Sequence, residues 1–148
     1  MRICVALTVL LIFSNTSGAR ISTAWTYEAM YEQSDLVVIA VPVSESELGE
    51  VESVPDLNPK INAYVVKTAF ATSVALKGTA PDGFHLHHYR LVNALQSAVA
   101  GPYFVWFDPA QRHSCLMFLK SDQAGSYFPV SGQADATVAV IKLEGGAR

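Results

Sequence analysis

Ile61-Asn62-Ala63-Tyr64-Val65-Val66-Lys67-Thr68-Ala69-Phe70-Ala71-Thr72-Ser73-Val74-Ala75-Leu76 is the stretch that decides the fold. Its even positions from Tyr64 to Leu76 form one apolar face, while Ala63, Val65, Lys67, Ala69, Ala71 and Ser73 are smaller or polar. A period of two over this length predicts a long strand, bent along its course and ended by Lys77-Gly78.

Upstream, Leu36 to Val43 is a dense β-branched run that reads as a strand buried on both faces, with Pro42 marking a sheet edge or bulge. Between the two strands, residues 44–60 carry Glu45, Glu47, Glu50, Glu52 and Asp56. They also hold Pro55 and Pro59, and are expected to be an irregular, solvated acidic excursion. Thr26 can cap a short helix from about Tyr27 to Ser34 with Tyr27, Met30, Tyr31 and Ser34 on one face. Downstream, 84–90, 103–107, 115–119 and 136–143 are strand candidates, and 91–99 is a helical turn or a loop. A helix followed by five or six strands in hairpin-like order predicts a mainly β protein. The expected architecture is a small antiparallel OB-like β-barrel with a short N-terminal helix, and the alternative is a β-sandwich.

The N-terminus has the three parts of a secretory signal. Met1-Arg2 is positive, Ile3 to Phe13 is apolar, and Ser17 and Ala19 suit a cleavage site. The expected organisation is therefore a signal peptide at 1–19 and a single β-barrel domain at 20–148, with Ala24 marking a second acceptable cleavage site. Export places the domain in the periplasm or outside the cell. Its 148 residues are 51% apolar and 16% charged, with a net charge of −3, which excludes a disordered chain. Without a Lys/Arg excess, an overall basic nucleic-acid binder is excluded as well. Loss of residues 1–19 lowers Lys+Arg from 10 to 9 against 13 acids, giving −4, and leaves Cys115 as the single thiol. No segment of the mature chain has the run of about 20 apolar residues needed for a helical membrane span.

Several phrases read together: Trp25-Thr26-Tyr27-Glu28, Ser34 to Ala40, Ala75-Leu76-Lys77-Gly78, Leu86-His87-His88-Tyr89-Arg90, Leu116 to Lys120 and Tyr127 to Gly132. In these the chain resembles an uncharacterised family of small exported bacterial proteins. The strand ending Leu76-Lys77-Gly78, the Phe118-Leu119-Lys120 strand and Tyr127-Phe128-Pro129-Val130 also look like the OB-like barrel of netrin and tissue-inhibitor-type modules. The resemblance implies a fold. It does not imply protease inhibition, because a mature start at Arg20 or Trp25 lacks the zinc-chelating N-terminal cysteine of those inhibitors.

The sharpest chemical signal is Phe84-His85-Leu86-His87-His88-Tyr89. On a strand, His85 and His87 share one side, where two imidazoles can ligate a divalent metal if His113, Asp108 or Cys115 supplies a third ligand. His88 falls on the other side, as a hydrogen-bonded histidine at the core edge or the partner of a nearby acid. The acidic stretch 45–56 lacks the spacing of a dedicated calcium loop. Cys115 reads as a buried thiol, and no nucleophile elbow, phosphate loop or zincin motif is present. Trp25, Tyr103, Phe104, Trp106, Phe107, Tyr127 and Phe128 read as core and barrel-mouth aromatics; exposed together, they would suit glycan or peptide contact.

The sequence thus predicts a non-catalytic binding module of the cell envelope or secreted fraction. Its expected partner is a protein, peptide or glycan, and neither a nucleic acid nor a cofactor is expected. The alternative is a small metal-binding or metal-dependent hydrolytic protein using His85 and His87.

Overall fold

A computed structural model describes residues 24–55, 57, 60–92, 102–122 and 125–143. The expected signal peptide and most of 91–99 lie outside these residues. Helix α1 (Tyr27–Gln33) begins where Thr26 Oγ1 accepts the Ala29 N–H at 3.1 Å, and it ends where the Ser34 hydroxyl donates to the Met30 carbonyl at 2.6 Å. Of its expected face, Met30 and Ser34 are buried, whereas Tyr27 and Tyr31 stay exposed. The strands are β1 (Leu36–Ser53), β2 (Asn62–Lys77), β3 (Gly83–Leu91), β4 (Cys115–Ser121), β5 (Tyr127–Pro129) and β6 (Val140–Lys142). A 3-10 turn (Gln133–Asp135) and a four-residue helix, α2 (Ala136–Ala139), lead into β6.

The strand order β1-β2-β3-β5-β4 closes on itself because β4 also pairs with β1, from Leu36↔Leu119 to Ala40↔Cys115. This is a closed five-stranded, OB-like barrel, and the sandwich alternative falls away. All pairings are antiparallel except one: β3 meets β5 in parallel at Leu86↔Tyr127. The other edge of β4 is divided, with β6 taking Cys115 to Met117 and β5 taking Leu119 to Ser121.

The barrel interior is filled by Leu36, Val38, Ala40, Phe70, Phe84, Leu86, Met117 and Leu119. Phe70 stacks on Phe84 at 5.5 Å and meets the edge of Phe107 at 4.9 Å. Burying side chains of this size supplies about 1.5–3 kcal/mol each, the dominant local stabilisation. The Asp35 carboxylate ties the start of β1 to the end of β4 by accepting from the Ser121 N–H and hydroxyl at 3.0 and 3.1 Å. Those two bonds hold its pKa below the usual 3.8.

Three expectations are corrected. The acidic segment 44–60 is expected to be irregular, yet β1 continues into it as far as Ser53 and pairs with β2 up to Ser53↔Asn62. The strand β2 is 16 residues long and offers a continuous edge. Register shifts at Pro42/Ser44 and Glu47/Val51 absorb the misfit, with Gly49 in the left-handed region at φ 73°. Residues 103–107 form no strand; the segment is held by Tyr103 N–H to the Ala134 carbonyl at 2.9 Å. From it Val105 and Phe107 enter the core, while Phe104 packs outside on Tyr89. Residues 136–143 are a helical turn before a three-residue strand, because Ala136 and Ala139 must both bury on a helical spacing. The short β5 was not among the strand candidates.

Candidate functional site

Strand β3 carries chemistry on both faces. Phe84, Leu86 and His88 point into the barrel, while His85 is exposed and His87 half-buried outside. His85 lies opposite Ala69, and His87 lies opposite Lys67, whose ammonium does not favour a cation beside it. His113 is bonded to Gln111 at 2.9 Å, the Asp108 carboxylate accepts the Ala110 N–H at 2.9 Å, and Cys115 is buried. The structure therefore does not bring the suggested third ligands to the His85–His87 pair. Among the described residues no group of three or more His, Cys, Asp or Glu side chains is placed to hold a metal ion. The Cys115 thiol donates to the His113 backbone carbonyl at 3.7 Å, and burial pushes its pKa up. That arrangement is inert rather than nucleophilic.

Inside the barrel, His88 Nε2 lies 2.8 Å from Thr68 Oγ1, which is itself 3.3 Å from Glu45 Oε2; Arg90 pairs with the other Glu45 oxygen. Thr68 has one hydroxyl proton. The arrangement that uses every group runs from His88 Nε2–H to the Thr68 hydroxyl and from that hydroxyl to the Glu45 carboxylate. This tautomer leaves Nδ1 as a buried acceptor without a partner. Burial, and then the Arg90 charge, push the His88 pKa from 6.5 down to about 4, so the ring is neutral at neutral pH. The Tyr89 backbone leans the other way without closing a hydrogen bond on Nδ1. Although the set contains hydroxyl, imidazole and carboxylate, it is no catalytic triad. The acid sits on the same nitrogen as the hydroxyl instead of behind the ring, and His88 is only 2% exposed.

The outer face has a different character. A cleft of ≈ 290 Å³ opens between the distal half of β1 (Leu48, Glu50, Glu52), the middle of β2 and β3, the β4–β5 connection at Asp122, and Phe128 with Gln133. Tyr89 donates to Glu52 Oε2 at 3.0 Å; burial, then that bond, raise its pKa to about 12, so the hydroxyl keeps its proton. Gln133 Nε2 donates to the His87 carbonyl at 2.9 Å, which fixes the amide orientation and leaves Oε1 buried without a partner. Asp122 shapes the rim by accepting the Ser126 N–H at 2.7 Å.

Sequence reasoning singles out His85 and His87, of which His87 lines this cleft, but it does not anticipate the cleft itself. Glu50, Glu52, Asp122 and Gln133 are ordinary surface residue types, and only pairing of β1 with β2 and barrel closure assemble them. The one sequence signal was the concentration of glutamates in 45–52 beside the strand face. Of the aromatics, Tyr127 and Phe128 line the cleft, whereas Tyr103 and Trp106 are exposed elsewhere, at 65% and 56%. No protein family, curated protein or solved structure matches the chain.

Proposed function

We propose that the protein is a non-catalytic binding module of the cell envelope or secreted fraction, and that the outer cleft takes its ligand. The observation that carries this reading is the cleft's position. It lies over the β2–β3 surface and against the β4–β5 connection, where OB-type barrels hold their ligands. Its mixture of rings and fixed polar groups is that of a recognition surface. The His88 ring, 2% exposed and engaged by Thr68, supports a binding role over a catalytic one.

Affinity capture with the protein as bait tests the reading, run in parallel with Leu48→Arg. Leu48 is exposed at the cleft edge, so the arginine alters the cleft without entering the core. Wild type is expected to retain a component that the variant loses. Equal recovery by both, or by neither, overturns the assignment to the cleft. A rise in melting temperature with zinc or copper, abolished by His87→Ala, would instead support a metal site on β3.

A further inference from the structure

Resting on the reading of the chain as exported, we propose that a membrane-bound signal peptidase cuts it between Ala19 and Arg20, and that the fold closes the competing site after Ala24. Both sites carry the small residues such an enzyme requires, Ser17 with Ala19 and Ser22 with Ala24, so the motif alone does not choose between them. What separates them is the distance of each from the first residue that the fold holds.

Trp25 stands directly after the second site. It is half-buried and packs on the cluster of Met30, Val37, Phe118 and Ala139, which joins α1 to β1 and β4. The residue after it is fixed as well. The Thr26 hydroxyl oxygen accepts the Ala29 N–H at 3.1 Å, and the Thr26 carbonyl accepts the Met30 N–H at 3.0 Å. A protease needs its substrate extended on both sides of the bond it cuts. In the folded chain, cleavage after Ala24 would require a local opening that pulls Trp25 from its packing and undoes the first turn of α1. Cleavage after Ala19 leaves Arg20 to Ala24 between the new terminus and Trp25, and touches none of these contacts. Position along the chain agrees. The apolar run ends at Phe13, and Ala19 closes the polar stretch 14–19 beside it, whereas Ala24 lies five residues further out. The reaction is a hydrolysis: the Ala19–Arg20 amide bond breaks, water completes the Ala19 carboxylate, and the Arg20 nitrogen takes the proton as a free amine.

The test is expression of the full 148-residue chain in a bacterium with a general secretion pathway, with the product read by intact mass and N-terminal sequencing. The exported protein is expected to begin at Arg20. A product beginning at Trp25 overturns the assignment of the site and leaves export standing. An uncut chain retained in the cytoplasm overturns the site and the export reading together. Ala19→Leu removes the small residue at the assigned site, outside the packed body, and is expected to leave the precursor uncut. Efficient cutting of this variant after Ala24 overturns the closure of the second site. Combining Ala19→Leu with Trp25→Ala, which releases the packed residue, is expected to restore cleavage after Ala24. If the double variant stays uncut there, the role given to the fold is overturned.

Discussion

At the scale of single residues, His88 shows how one environment sets both tautomer and titration. Its ring is sealed between Thr68 and the edge of Phe107, whose centroid is 5.2 Å away, with Glu45 and Arg90 completing the charged surroundings. Because the folded pKa lies at about 4 against 6.5 in the unfolded chain, the unfolded state takes up a proton first as pH falls. Stability from this group is therefore complete above pH 6.5 and declines through the window down to pH 4, by roughly 3 kcal/mol in total. His88→Gln keeps an amide donor for Thr68 but cannot titrate. Urea unfolding at pH 7 and pH 4.5 is expected to show the variant losing about 2–3 kcal/mol less than wild type over that interval. Equal losses in the two proteins would assign the acid sensitivity to another group. The sequence marked His88 as a buried histidine with a partner, because alternation along 84–89 places it beside Phe84 and Leu86. It could not name Thr68 or Glu45, which are brought in by other strands.

At the scale of elements, the two longest strands are shaped by glycines with different tasks. Gly78 ends β2 at φ 76°, and a Cβ there would strike the Asp35 carbonyl oxygen. Gly49 sits in the β1 irregularity at φ 73° with open space around it. Gly78→Ala is thus expected to cost about 3 kcal/mol or more, combining an unfavourable backbone region with a backbone clash. Gly49→Ala should cost only about 1–2 kcal/mol, the conformational part alone. Denaturant midpoints measured side by side check the order, and similar costs at both positions would contradict the steric account. Lys77-Gly78 was legible in the sequence as the end of a strand. The continuation of β1 past Pro42 was not, because Glu45, Glu47, Gly49, Glu50 and Glu52 have little strand character of their own. Pairing with β2 supplies what the local sequence lacks.

At the scale of the whole molecule, closure of the barrel places Cys115 in the core between β1 and β6, 1% exposed and with its pKa raised by burial. Its thiol should be reached by an alkylating reagent only when the barrel opens. Peptide mapping after iodoacetamide treatment is expected to show Cys115 unmodified in native protein and modified in urea. Its labelling rate should follow global unfolding across a denaturant series, and rapid labelling under native conditions would show that the seam of β4 with β6 opens independently. Among the described residues, no helix is long and apolar enough to cross a membrane.

What the sequence determined by itself is what depends on neighbours within a few residues. That includes the period-two faces of 61–76 and 84–89, the β-branched run 36–43, the Thr26 cap and, from these, a mainly β barrel with a short helix ahead of it. The tertiary structure alone decided the strand status of 44–53, the core role of Val105 and Phe107 outside any strand, and the parallel seam at Leu86↔Tyr127. It also decided the candidate site, whose lining residues run from Leu48 to Gln133. Alternation is enforced locally by backbone geometry. Register, closure and the meeting of side chains far apart in the chain come from hydrogen bonds and burial that exist only once the barrel has formed.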